Sequence, residues 1–110
     1  MKPDVLDVER LPWREFDRAP GVSYKVLRHH EGRSGITLLL RFEPGAQYPA
    51  HRHPEGEEYY VLEGTLQDGA HSYGPHTYVY QPPGSAHSPA SPTGCVVLVT
   101  LPAPIELLDA

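Results

Sequence analysis

Thirteen prolines and ten glycines in 110 residues cut this chain into short pieces, and their spacing decides what it can become. A proline inside a helix removes a hydrogen bond and clashes with the turn before it, and a glycine there costs about 1 kcal/mol relative to alanine. Long helices are therefore excluded. The pieces between breaks read as strands. Ser23 to Arg28 (SYKVLR) is one, followed by a polar turn over Glu31 to Gly35. Ile36 to Glu43 (ITLLLRFE) alternates, with Ile36, Leu38, Leu40 and Phe42 on one face and Thr37, Leu39, Arg41 and Glu43 on the other. That period of two marks a half-buried strand. Tyr48 to His53 is short and extended, because prolines 49 and 54 bias their neighbours away from helix. Glu57 to Leu62 (EEYYVL) is a strand, Glu63-Gly64 its turn, and Thr65 to Gln67 its expected partner. Residues 71–76 read as a loop, Thr77 to Gln81 as a strand, and Pro82-Pro83-Gly84 as a tight turn. Ala86 to Ser88 is short and extended, and Cys95 to Leu101 (CVVLVTL) is an apolar β-branched strand. The sum is an all-β fold, a sandwich or small barrel.

This length makes one domain. Residues 1–20 read as an N-terminal arm with Trp13 as its anchor on the barrel or on a second subunit. Residues 21–103 form the body, and 104–110 a tail too short for an independent helix. Fourteen acidic against nine basic side chains give a formal charge of −5. That balance leaves no footprint for nucleic acid and no basic run for an anionic membrane. No apolar stretch reaches bilayer length. The N-terminus lacks the apolar core of a signal peptide, so the cytoplasm is the expected location. The lone Cys95 excludes an internal disulfide, fits a reducing compartment, and reads as a small buried hydrophobe.

The histidines are not spread evenly. In an extended segment, residues two apart share a face about 7 Å apart. His51 and His53 thus present two imidazoles side by side, with Arg52 facing away. A turn at Pro54-Glu55-Gly56 can return the next strand so that a carboxylate arrives beside them. Strand alternation lets only one of Glu57 and Glu58 point inward. After Pro82-Pro83-Gly84, His87 projects from a third element. Neutral imidazoles with one carboxylate suit iron, zinc, manganese, nickel or copper. The bland reading of each is a surface histidine beside a proline turn, or packing in a metal-free barrel. Three imidazoles and a carboxylate in a dry cavity would then need other partners.

From Gly45 to Gly64 the chain resembles cupin motif 1, G-x5-H-x-H-x3-E-x6-G, without a gap, and Pro82 to His87 resembles the P-x-G-x2-H core of cupin motif 2. The wording HRHPEGEEYYVLEG and TYVYQPPGSAHSPASPTGC is similar to the ChrR-like cupins, and the likeness covers roughly residues 11 to 101. It implies a small RmlC-like jelly-roll barrel holding one divalent metal ion per chain through His51, His53, Glu57 and His87. The spacing to Gly64 selects Glu57 over Glu58. With iron, the resemblance implies a metal-dependent dioxygenase cleaving a C–C bond of a small carbonyl compound; the alternative is a non-catalytic zinc-binding or sensing module. The likeness starts almost at the N-terminus, so a stand-alone cupin is expected rather than a complete anti-sigma factor. A homodimer is expected from the resemblance and from the edge strands a small barrel must cover.

Two positions depart from the pattern. His76 stands where motif 2 has glycine, so either another turn forms there or Gly74 takes the role. Ser91 stands where the general motif has asparagine. Catalytic residues are not assigned by the resemblance; Tyr59, on the face of Glu57, and His76, near the barrel mouth, are the candidates. Tyr59 reads equally as core packing. His29, His30 and His71 read as exposed.

Overall fold

The computed structural model describes residues 1–32 and 34–108. Position 33, in the expected turn, and 109–110, in the expected tail, lie outside the described residues. Among the described residues, one short 3-10 turn, Val8–Arg10, precedes thirteen strands. These are β1 (Arg14–Glu15), β2 (Val22–His29), β3 (Ile36–Phe42), β4 (Ala46–Gln47), β5 (His51–His53), β6 (Glu57–Gly64) and β7 (Leu66–Asp68). They continue as β8 (His71–Tyr73), β9 (Tyr78–Gln81), β10 (Ser85–His87), β11 (Ala90–Ser91), β12 (Cys95–Leu101) and β13 (Glu106–Leu107). The all-β reading holds. No helix among the described residues is long and apolar enough to cross a membrane.

The strands form three antiparallel sheets, ordered β1-β2-β3-β12-β6-β9, β10-β5-β13 and β4-β11-β7-β8. Their hydrogen bonding does not close into one barrel among the described residues; the layout is that of a jelly-roll sandwich. Prolines at 44, 49, 54, 82, 83, 89 and 92 lie between these strands. With no N–H to donate, they interrupt the ladders.

The largest sheet puts one apolar face inward. β12 buries Cys95, Val97 and Val99 and leaves the residues between them half-exposed. Val97 pairs with Leu40 on one side and Val61 on the other. Phe42, Val22 and Val61 are fully enclosed. Leu38 and Leu40 are only half-buried, although they share the face of Phe42, because they front a cavity.

The N-terminal arm is pinned to this sheet. Arg14 and Glu15 pair with Tyr24 and Ser23. The Trp13 ring lies 4.7 Å from Lys25 Nζ and 4.2 Å from Arg41 Cζ, within reach of cation–π attraction. Lys25 also donates to the Val8 carbonyl at 2.8 Å. At the other end, β13 pairs with β5, so part of the expected tail is a strand.

Three local expectations are corrected. β7 is not the hairpin partner of β6; it pairs with β8 and β11 in another sheet. Gly64, at φ +76°, turns the chain between sheets, and a Cβ there would overlap the Gly94 carbonyl oxygen. Part of the expected loop, His71–Tyr73, is a strand because Asp68-Gly69 closes a hairpin onto β7. Finally, neither another turn nor Gly74 replaces the missing motif glycine. His76 itself adopts φ +70°. Its N–H donates to the Val61 carbonyl at 2.7 Å, and the Val61 N–H donates to Thr77 at 2.9 Å. Left-handed backbone costs a side chain about 1–2 kcal/mol, and this bracket of hydrogen bonds holds it.

Gly64→Ala should therefore lose at least about 2 kcal/mol, since strain and a backbone overlap add together. His76→Gly should stay within about 1 kcal/mol of the parent, relief of strain offsetting the added freedom of the unfolded chain. Urea unfolding of both variants checks this ordering.

Candidate metal centre

The pattern His-Arg-His alternates buried, exposed, buried along β5. β10 lies antiparallel beside it, with His87 opposite His51 and Ser85 opposite His53. Cross-strand neighbours share a face, so three imidazoles meet. Two turns hang from one atom: the His53 carbonyl accepts from Gly56 N–H at 3.2 Å and from Gly84 N–H at 2.8 Å. Gly56, at φ +86°, sits where a Cβ would come within 2.8 Å of the Gln81 carbonyl. That close turn delivers Glu57 at the head of β6, with Glu58 outward and exposed.

His53 Nε2 lies 3.0 Å from His51 Nε2 and 2.9 Å from His87 Nε2. Glu57 Oε1 lies 3.3 Å from His53 Nε2 and 3.6 Å from His87 Nε2. The proton count is what matters. His51 Nδ1 faces the Pro49 carbonyl at 2.8 Å, and His87 Nδ1 faces Asp68 Oδ2 at 2.8 Å. Both partners only accept, so both Nδ1 atoms carry hydrogen and both Nε2 atoms are bare in the neutral rings. Glu57 Oε1 and His53 Nδ1 have no hydrogen-bond partner among the described residues. One proton on His53 Nε2 cannot satisfy every lone pair that meets there.

A divalent ion fits this donor set. Ligand atoms about 2.0–2.1 Å from a common ion lie about 2.9 Å apart at right angles and about 3.4 Å apart at tetrahedral angles. His51, His53 and His87 form a group able to hold a metal ion, and Glu57 is the carboxylate beside it. Burial pulls His51 and His53 down to about 4, which keeps both neutral at neutral pH, the form in which an imidazole can bind a metal. Burial pushes Glu57 up to about 7.

Behind the histidines stands a residue the sequence reading missed. Asp68 Oδ2 accepts from His87 Nδ1 at 2.8 Å, from the Tyr59 hydroxyl at 3.0 Å and from Gln81 Nε2 at 3.0 Å. Burial pushes the Asp68 carboxyl up, but the His87 contact and the Tyr59 hydrogen bond outweigh it and hold the group below its ordinary value. An aspartate before Gly69 reads as turn chemistry; only strand order reveals its other role.

A cavity of about 190 Å³ adjoins the cluster. Leu38, Leu40, Val97, Val99 and Leu101 give it apolar walls, Phe16 comes from the arm, and His51, His53, Glu57 and His87 line it as a group. Tyr59 is buried and lines it too, with its hydroxyl committed to Asp68. His76 does not line it. It is exposed, 3.1 Å from the Tyr60 hydroxyl. His71 is exposed and stacks on Tyr73, whereas His30 is half-buried with Nε2 2.9 Å from Thr37 Oγ1. Cys95 is buried in the core.

The family model of the ChrR cupin-like domain matches residues 1–104. This chain belongs to that family. Solved structures agree on the fold. A candidate acetylacetone dioxygenase of Methylibium petroleiphilum PM1 superposes with a TM-score of 0.91 at 17% identity, over 99% of this chain and 83% of that one. The acetylacetone dioxygenase of Acinetobacter johnsonii gives 0.85 at 14%, over 99% and 78%. ChrR, solved in complex with SigE of Rhodobacter sphaeroides, gives 0.72 at 25%, over 86% of this ChrR-type cupin and 50% of that chain. Curated protein sequences yield no match.

The buried cluster ties stability to pH. His51 and His53 sit below the unfolded value of 6.5, at about 4, so the unfolded chain holds two more protons in that window and their stability is lost as pH falls through it. Glu57 sits above its unfolded value of 4.5, at about 7, so its contribution is full below 4.5 and lost as pH rises through 7. Two protons against one leave stability falling on acidification from about 6.5 to about 4.5, by at most about 1.4 kcal/mol per pH unit. Urea unfolding with chelator at several pH values should show this slope, and His51→Gln with His53→Gln should flatten or reverse it.

Proposed function

We propose that this ChrR-type cupin binds one divalent metal ion per chain through His51, His53, Glu57 and His87, and that with iron it acts as a dioxygenase on a small carbonyl compound. The observation carrying this reading is the convergence of three imidazole nitrogens and one carboxylate oxygen at a mostly apolar cavity. The structural likeness to acetylacetone dioxygenases supports the choice of chemistry.

In this reaction a β-dicarbonyl compound and O2 give a carboxylic acid and a 1,2-dicarbonyl. One C–C bond breaks, each fragment takes one oxygen atom, and no further reductant is needed. The bound ion would supply Lewis acidity and the electrons that activate dioxygen. The chain supplies the rest. Leu38, Leu40, Val97, Val99 and Leu101 exclude water from the reacting carbonyls. The neutral rings of His51 and His53 keep their lone pairs free. Of the two catalytic candidates, Tyr59 touches the cavity. Burial and the Asp68 carboxylate push its hydroxyl well above the ordinary range, which suits a fixed hydrogen-bond donor and not a base. His76 does not line the cavity and has no part in this mechanism.

The second reading, a zinc-binding or sensing module without turnover, is favoured by the likeness to ChrR. Elemental analysis of protein purified without added metal separates the two. Iron with oxygen uptake on small β-dicarbonyls supports the enzyme; stoichiometric zinc without turnover supports the module. His51→Ala combined with His53→Ala should abolish stoichiometric metal in either case, and unchanged metal content would refute the ligand set.

The proposed assembly is a homodimer. β9 is an edge strand of the largest sheet, and Tyr78 and Tyr80 on it are each 57% exposed. An uncovered aromatic edge favours pairing with another chain. Light scattering should give twice the chain mass; a monomer would refute it.

A further inference from the structure

Each inward histidine has a second ring nitrogen, and the three are treated differently. His51 Nδ1 is held by a backbone carbonyl, that of Pro49, which no side-chain substitution removes. His53 Nδ1 has no partner among the described residues. His87 Nδ1 alone meets a side chain, Asp68, at 2.8 Å. The carboxylate that orients His87 is itself anchored. Its Oδ2 accepts from Tyr59 on β6 and Gln81 on β9, each at 3.0 Å, while Asp68 sits on β7 and His87 on β10. One oxygen thus joins all three sheets.

We propose that Asp68 is the positioning residue of this centre: it holds His87 as the Nδ1–H tautomer, with Nε2 turned toward His53 and Glu57, and thereby sets the metal affinity. A carboxylate only accepts, so it tolerates no bare nitrogen opposite it. Turning the His87 ring over would put carbon against Asp68 and withdraw Nε2 from the cluster. Tyr59 and Gln81 stop the carboxylate from swinging away, which fixes the imidazole before any ion arrives. An anionic acceptor also makes the ring a stronger donor at Nε2, and losing such a partner weakens metal binding about 10–100-fold.

The affinity half rests on the metal reading above, while the tautomer half stands on hydrogen bonds in the metal-free protein. Two-bond ¹H–¹⁵N correlation of His87 in metal-free protein at neutral pH should find hydrogen on Nδ1 and none on Nε2; the opposite tautomer overturns the proposal. Competition against a chelator should show Zn²⁺ or Co²⁺ binding weakened about 10–100-fold in Asp68→Asn. Gln81→Met leaves the Asp68–His87 contact in place and removes one of the two donors that anchor the carboxylate, so its loss of affinity should be smaller than that of Asp68→Asn. Folded Asp68→Asn with near-parental affinity, or an equal loss in Gln81→Met, overturns the positioning role, the latter because general loosening would then explain both. If Asp68→Asn does not fold, the tautomer measurement on the parent still decides. A parent that binds neither ion defeats the metal reading and the affinity half together, leaving the tautomer result to stand or fall alone.

Discussion

Lone pairs that converge on one buried point are the constraint on which this molecule turns. Each buried acceptor without a donor costs about 1–3 kcal/mol, and here His51, His53, His87 and Glu57 point theirs at one region. A chain carries such a cost only if the surrounding backbone is over-determined. Here it is. His53 is hydrogen-bonded through its carbonyl to both glycine turns, and β10 is locked in register on β5. The atoms that converge and the atoms that brace belong to the same residues, so a local change cannot relax one without disturbing the other.

The same sandwich divides its apolar face between filling and enclosing. At one end Val22, Phe42 and Cys95 are buried against one another across neighbouring strands. Toward the other end Val26, Ile36 and Leu101 are half-exposed, because the space in front of them is cavity. An interior at native density has no room for a ligand. By leaving one end unfilled, the fold gives up some packing and gains an apolar chamber whose polar wall is the histidine cluster.

The convergence of these side chains was legible in the sequence because its geometry is local. Two residues apart on a strand means one face, and Pro-Gly turns announce where the chain reverses, so His51, His53 and His87 could be placed before their contacts were known, while the choice of Glu57 over Glu58 came from the resemblance to the cupin motif. The rest depended on non-local pairing. Gly64 looks like a hairpin turn in the sequence; only the proximity of Gly94 shows that it carries the chain between sheets. Asp68 carries an ordinary turn signature, and its partner His87 is 19 residues away. The alternation in Ile36 to Phe42 identified the inward face correctly, yet period alone cannot say whether that face meets side chains or open space. His76 shows the converse: the motif asks for glycine, and tertiary hydrogen bonds hold a histidine in glycine's conformation.

Charge narrows what the chamber suits. Among the described residues its lining includes neither lysine nor arginine. Glu57 brings one negative charge when ionised, and the neutral imidazoles bring none. A divalent ion on these four side chains would therefore leave one positive charge uncompensated. A dicarbonyl compound that binds as its enolate carries one negative charge and closes that balance to zero. A dicarboxylate would overshoot it, with no side-chain cation among the described lining residues to take up the excess. In a low-dielectric space an unbalanced charge is expensive, so on the proposed metal reading the four side chains would favour a singly charged chelating ligand with apolar substituents.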